Sequence, residues 1–291
     1  MNTKAAILGA FIGDAMALGP HWMYDTKDLK TKFGDITTIT APLADSYHPN
    51  KKAGEFTHYG DQLFMILTSV SKQKKIDLPD IQKNFVSLFN GYNDYVDHAT
   101  KETLANYMNG SFKGSTSEDL SAASRIACAL LVSHSAQTLA DNAQTLATIT
   151  HNSESVILAT QFFSQVVWEV LEGARPSDVI TTCSAQYPAI KRMIDAGFSA
   201  STTDTVTATS ELGSSCAVSE SLSATVQAIV AHENDFEKAI CQTVQAGGDS
   251  SARAMLVGLV LGAYLGEKAL PENWREAMTK ESEIVSLITL L

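Results

Sequence analysis

The 291-residue chain carries 32 acidic against 21 basic side chains, a formal net charge of -11, with 45% hydrophobic and 18% charged residues. That is the composition of a folded chain with ample core, which excludes disorder, and an acidic surface without a basic run repels nucleic acids and anionic membranes. Cys128, Cys183, Cys216 and Cys241 show no CxxC spacing, so reduced thiols and a cytoplasmic location are expected.

Apolar residues recur mostly at helical spacing and alternating strand patterns are scarce, so the chain is expected to be all-α. The first helix is predicted at 3–17. Its Lys4, the apolar stretch Ala5 to Gly13 and the triplet Ala15-Met16-Ala17 imitate a secretory signal. Asp14, a charge just ahead of the cleavage position, and the absence of paired cysteines oppose that reading. Ile36-Thr-Thr-Ile-Thr is a short strand or an extended loop. A polar loop over 41–58 leads to helices at 59–74 and 79–90, and a second polar loop covers 106–118. Helical spacing returns from Leu120 to Val132, then helices are predicted at 136–149, 153–172, 176–183 and 188–196. A Ser/Thr-rich loop over 197–215 precedes helices at 218–231, 235–246 and 250–266. No shift in composition and no repeat divides the chain, which reads as a single domain over 1–291. Its longest uncharged apolar run, residues 254–266, falls short of the roughly 20 residues a bilayer crossing requires.

Two helices share an unusual face. Ala5, Gly9, Gly13 and Ala17 recur every four residues, as do Ala254, Gly258, Gly262 and Gly266. A glycine inside a helix costs about 1 kcal/mol relative to alanine, so a stripe of them calls for a compensating close approach of backbones. If the two helices pack antiparallel, Gly13-Asp14 lies beside Gly247-Gly248-Asp249, and two distant aspartates share one wall.

The start of the last of these helices, Gly247-Gly248-Asp249-Ser250, can present free backbone N–H groups and a partial positive charge to a phosphate. The plainer reading makes Asp249 an N-cap. His21 can exchange a proton near neutral pH, with Asp61 to orient it; the plainer reading has His21 and Trp22 close the first helix beneath a loop. Asp94, His98 and Glu102 lie on one helical stripe suited to a metal, although alternating charge of this kind usually marks a solvated face.

Gly13-Asp14, Thr150-His151-Asn152, Leu212-Gly-Ser-Ser-Cys216, Ala246-Gly-Gly-Asp-Ser and Leu270-Pro-Glu-Asn-Trp274, in that order, resemble the ADP-ribosylglycohydrolase family over nearly the whole chain. The resemblance implies a compact orthogonal bundle of helices enclosing a cleft with two magnesium ions, and cleavage of the N- or O-glycosidic bond between ADP-ribose and a protein side chain. The chain departs from that pattern in its acids. The family's Thr-Asp-Asp-Thr corresponds to Tyr59-Gly60-Asp61-Gln62, and its Gly-Gly-Asp-Thr-Asp-Thr to Gly247-Gly248-Asp249-Ser250-Ser251-Ala252. His21 replaces a carboxylate found seven residues after the Gly-Asp of active members. These variants resemble the divergent branch that includes the J-type crystallins.

The implied site therefore has Asp61 and Asp249 as ligands for one weakly held Mg²⁺ at most, Asp14 as an outer helper, and Gly247, Gly248, Asp249 and Ser250 around a ribosyl or ADP-ribosyl ligand. A hydrolase of a ribosyl bond, with Asp61 activating water and His21 as acid or base, is the expected function. The alternative is a non-catalytic ligand-binding or structural homologue. A helical adaptor is disfavoured, because internal packing explains the glycine stripes.

Overall fold

A computed structural model describes residues 1–290. In chain order the helices are α1 (Thr3–Ala17), α2 (Thr26–Phe33), α3 (His58–Gln73), α4 (Leu78–Phe89), α5 (His98–Met108), α6 (Ile126–Ala129), α7 (Ala136–Thr148) and α8 (Glu154–Leu171). They continue with α9 (Pro176–Cys183), α10 (Lys191–Ser199), α11 (Thr205–Leu212), α12 (Val218–Ala231), α13 (Phe236–Gln245), α14 (Ser250–Leu265), α15 (Glu272–Ala277) and α16 (Glu281–Ile288). Among the described residues there is no strand, only the isolated bridges Ser115 to His151 and Asp119 to Ala217. Ile36 to Thr40 is extended loop, pinned where the Trp274 indole donates to the Thr37 carbonyl, 3.1 Å away.

Side-chain caps set several helix starts. Asp25, Thr57, Asp77, Asp97, Asp204 and Asp235 each accept a hydrogen bond from the first turn of the helix that follows. A reciprocal Ser135–Thr138 capping box opens α7. The run from Leu120 to Val132 is mostly 3-10 helix around the short α6. The stretch 197–215 is not the loop its Ser/Thr content predicts, because Asp204 caps α11 within it.

The centre of the molecule is the antiparallel pair α1 and α14, nearly every residue of which is buried. A Cβ on Gly9 would overlap the carbonyl of Gly258, and one on Gly258 the carbonyl of Gly9. Gly13 stands in the same relation to Ala254, and Gly262 to Ala5. The two stripes are thus the contact, with backbones so close that only hydrogen fits between them. The segment that imitates a secretory signal is half of this pair. Helices α8, α12 and α13 pack on α14, while α3, α13 and α16 pack on α1. The buried apolar side chains form one continuous core. Among the described residues no helix is long and apolar enough to cross a membrane.

Candidate functional site

The α1–α14 register brings the end of one helix to the start of the other, and Asp14 lies between them, fully buried. Its carboxylate accepts from the Thr57 N–H at 2.9 Å, the Thr57 hydroxyl at 2.6 Å and the Ser251 hydroxyl at 2.5 Å. Burial pushes its pKa up to about 6, against the pull of these hydrogen bonds. The Cα of Gly60 rests on the same carboxylate, where any Cβ would overlap Asp14 Oδ2. Gly60 and Ser251 stand where the two metal motifs have their lost acids, and both now close around Asp14. Asp14 therefore ties three helices together.

Asp61, in the first turn of α3, is held by others. Lys51 Nζ lies 2.5 Å from its carboxylate, and the Tyr92 hydroxyl donates to the same oxygen at 2.6 Å. It makes no hydrogen bond to His21, so the expected Asp61–His21 pair is absent from the geometry.

His21 instead faces Asp249, with Nδ1 3.8 Å from Oδ1 and both side chains sealed from solvent. The loop after α1 places it. Trp22 adopts a left-handed backbone (φ 62), and the loop is latched by Trp22 N–H to the Gly248 carbonyl at 3.0 Å and Gly248 N–H to the Met23 carbonyl at 2.7 Å. This latch explains the glycine pair. Gly247 and Gly248 both have positive φ, and a Cβ on them would overlap the carbonyls of Met23 and Ser214. The N–H groups of Gly247, Gly248 and Asp249 go to Val244, Met23 and Ser214. The Ser250 N–H goes to the Gly248 carbonyl, so all four N–H groups of the expected anion cradle at 247–250 already have acceptors within the chain, three of them at the crossing of chain segments.

Asp249 occupies the N-cap position of α14 but makes no cap hydrogen bond, and neither carboxyl oxygen has a partner. The Ser250 hydroxyl beside it is also buried and unpartnered. Such atoms are rare in a folded interior, which sets Asp249 apart from an ordinary cap. Its carboxyl oxygen, an oxygen of Asp119 and the Cys216 sulfur lie within 4.8 Å of one another. Burial, then the neighbouring Asp119 charge, raise the Asp249 pKa well above the carboxylate range, with Arg253 and the nearby Ala252 N–H opposing, the latter outside hydrogen-bond geometry. Asp119 accepts from the Tyr59 hydroxyl at 2.7 Å and the Ser121 N–H at 2.8 Å, and burial lifts it to about 6. Burial also raises the Cys216 thiol. Arg253 is spent on the carbonyls of Ser214 and Gly247.

Around His21 stand two histidines that spacing alone does not single out. His48, from the loop between α2 and α3, and His58, the first residue of α3, each bring one ring nitrogen within 4.8 Å of one nitrogen of His21 and of each other. Burial, followed by the charges of the other rings, depresses His21 and His58 well below the usual imidazole value. Burial lowers His48 as well, although Asp94 pulls the other way. Outside this cluster, Trp22, Tyr24, Tyr47 and Asp45 line a cavity of about 230 Å³ that reaches His21.

The remaining motifs are structural. His151 bonds Thr150 Oγ1 at 2.8 Å, and the Asn152 N–H and side chain hold the carbonyls of Ser115 and Gly114. The stripe Asp94, His98, Glu102 does not exist as one face: α5 begins at His98, which pairs with Glu102 at the surface, while Asp94 turns inward to His48.

Magnesium does not fit the matching positions. It requires several charged oxygens in octahedral array. Asp61 already carries an ammonium, Gly60 and Ser251 supply no acid, and Asp249, its pKa raised chiefly by burial, stands among an imidazole, a thiol and a guanidinium with Asp119 as its one neighbouring carboxyl within 4.8 Å.

The family model for ADP-ribosylglycohydrolase matches residues 2–291. Crystallin J1A of Tripedalia cystophora is 19% identical, over 98% of this chain and 94% of its own. Crystallin J1B of the same organism is 20% identical over 99% and 97%. An uncharacterized protein of Archaeoglobus fulgidus is 24% identical over 99% and 95%. The solved structure of an ADP-ribosylglycohydrolase-related protein complex superposes with a TM-score of 0.79 at 20% identity, covering 99% of this chain and 97% of that one, and shares the fold. With its whole length matched and its motifs found at the meeting of α1, α3 and α14, the chain belongs to the ADP-ribosylglycohydrolase family.

Proposed function

We propose that the protein binds a ribosyl or ADP-ribosyl group and hydrolyses its N- or O-glycosidic bond with Asp249 as proton donor and without a magnesium pair. The observation that carries this reading is the Asp249 carboxyl, buried with both oxygens unpartnered. A carboxylic acid kept protonated beside a second acid that ionises first is the arrangement glycoside hydrolysis uses. The Asp249 proton goes to the leaving nitrogen or oxygen as the bond to the anomeric carbon breaks. Water adds to that carbon and returns a proton to the carboxylate. Asp119 keeps the proton on Asp249 by its charge. His21, whose pKa burial depresses, is not in the imidazolium form and is not the proton donor in this scheme. Asp61, bound to Lys51, takes no proton in this scheme.

A second reading, a non-catalytic homologue, is favoured by one observation: Asp249 and His21 are 0% and 2% exposed, beneath Trp22. Assays on ADP-ribosylated arginine and serine peptides, with ADP-ribose binding measured separately by calorimetry, decide between them. The expected result is turnover that is indifferent to added Mg²⁺, falls at least 100-fold in Asp249→Asn and changes less than about tenfold in Asp61→Asn. Turnover also falls as pH rises through the elevated Asp249 pKa, and in Asp119→Asn that fall moves to lower pH, because the neighbouring charge is gone. Binding without turnover establishes the second reading. Turnover that requires Mg²⁺ and Asp61, or no binding of any ribosyl ligand, refutes the proposal.

A further inference from the structure

We propose that His21, His48 and His58 form a binding site for one divalent transition-metal ion of the nitrogen-preferring class, with Zn²⁺ as its natural occupant. The three rings come from three separate segments: the loop after α1, the loop between α2 and α3, and the start of α3. Their ring centroids lie 5.5, 5.5 and 6.2 Å apart. Three imidazoles bound at about 2.0–2.1 Å around one tetrahedral ion place their centroids about 5 Å and their ligand nitrogens about 3.3 Å apart, so the rings, with one nitrogen of each now within 4.8 Å of the others, close by about 1 Å on binding.

The hydrogen bonding points the same way. Both nitrogens of His21, both of His58 and Nε2 of His48 are buried without a partner. If these rings were only aromatic packing beneath Trp22, five desolvated nitrogens would go unused, against the rule for folded interiors. A metal consumes one from each ring. His48 is already prepared for this: its Nδ1 is bonded to Asp94 at 3.1 Å, which leaves Nε2 as the ligand and supplies the carboxylate behind the histidine that metal centres use to fix the ring. Acids also stand behind the other two, Asp249 Oδ1 at 3.8 Å from His21 Nδ1 and Asp97 Oδ2 at 3.9 Å from His58 Nε2. Imidazole donors select Zn²⁺, Ni²⁺ or Cu²⁺ over Mg²⁺, so this site is chemically distinct from the oxygen-ligated magnesium pair of the family.

The inference stands independently of turnover and is tested without substrate. Full-length protein is stripped with a chelator, dialysed, and titrated with Zn²⁺ against a competing chromophoric chelator, and with Co²⁺ to read the visible absorption of low-coordinate cobalt. The expected result is one ion per chain, no competition from millimolar Mg²⁺, and loss of at least 100-fold in affinity in His48→Ala and in His58→Ala. Asp94→Asn, which keeps all three rings, should weaken binding about 10–100-fold, so the proposal remains testable even if a histidine variant fails to fold. Absence of stoichiometric binding to the wild type, or an affinity unchanged in Asp94→Asn and in every folded histidine variant, overturns it.

Discussion

Gly258→Leu is expected to lower the midpoint of thermal unfolding by about 6–12 °C. The added Cβ falls on the Gly9 carbonyl, which belongs to a helix backbone and cannot rotate aside. The helices must move apart along their whole contact, which separates Gly13 from Ala254 and Gly262 from Ala5 as well. Overpacking a core commonly costs about 1–3 kcal/mol, and a rigid backbone obstacle at the centre of the fold puts this case at about 3 kcal/mol or more. For a chain of this size each kcal/mol moves the midpoint by about 2–4 °C. Lys83→Leu, on the exposed face of α4, adds the same side chain where nothing opposes it and should leave the midpoint unchanged. Circular-dichroism melts of the two variants suffice, and equal midpoints would reject the packing argument.

Asp14→Ala is expected to cost about 3 kcal/mol at neutral pH. The change strands the Thr57 N–H and the hydroxyls of Thr57 and Ser251, each of which now donates to a charged or partly charged acceptor. The same residue imposes a pH dependence of definite sign. Its pKa is about 6 in the fold against 3.8 unfolded, so the folded state binds this proton more tightly. The resulting stability is complete below about pH 4 and is lost as pH rises through 6, a span worth about 3 kcal/mol. His21, His58 and His151 act oppositely: their pKa values are depressed in the fold, so their contribution is present above 6.5 and is lost as pH falls. The Asp14 effect is therefore visible as a difference. Urea unfolding at pH 7 and pH 5 should show the wild type gaining stability on acidification relative to Asp14→Asn. A difference between the two proteins that does not change with pH would mean that the Asp14 carboxyl is not perturbed.

The central helix pair could be read from sequence because glycines at every fourth position inside an apolar helix have few explanations other than backbone contact. Long helices were legible for the same reason, a sustained period. Helices α2, α5, α11, α15 and α16 were not; all but α5 have eight residues or fewer and offer barely two turns of pattern, whereas α9, equally short, was legible because Pro176 marks its start. At the site, the pairing of stripes correctly brought Asp14 to the wall formed by the start of α14. It could not show that Lys51 reaches Asp61, nor that His48 and Asp119 arrive beside His21 and Asp249. Those residues come from irregular segments whose path depends on tertiary contacts. The glycine pair at 247 and 248 suggested a phosphate cradle because sequence records the need for positive φ without recording which carbonyl takes the freed N–H.

The pairing of α1 with α14 also bears on how the chain is made. Asp14 and Ser251, which meet in the finished fold, are separated by 237 residues. At about 5–20 residues per second, a ribosome completes α1 about 12–50 s before its partner emerges. Throughout that interval an apolar helix, destined to be buried on all sides, can be covered only in part, by earlier elements such as α3. Closure of so distant a contact is slow, and an uncovered apolar segment is what chaperones shield and aggregates recruit. The feature that centres the folded molecule thus leaves α1 exposed for much of the synthesis of the chain.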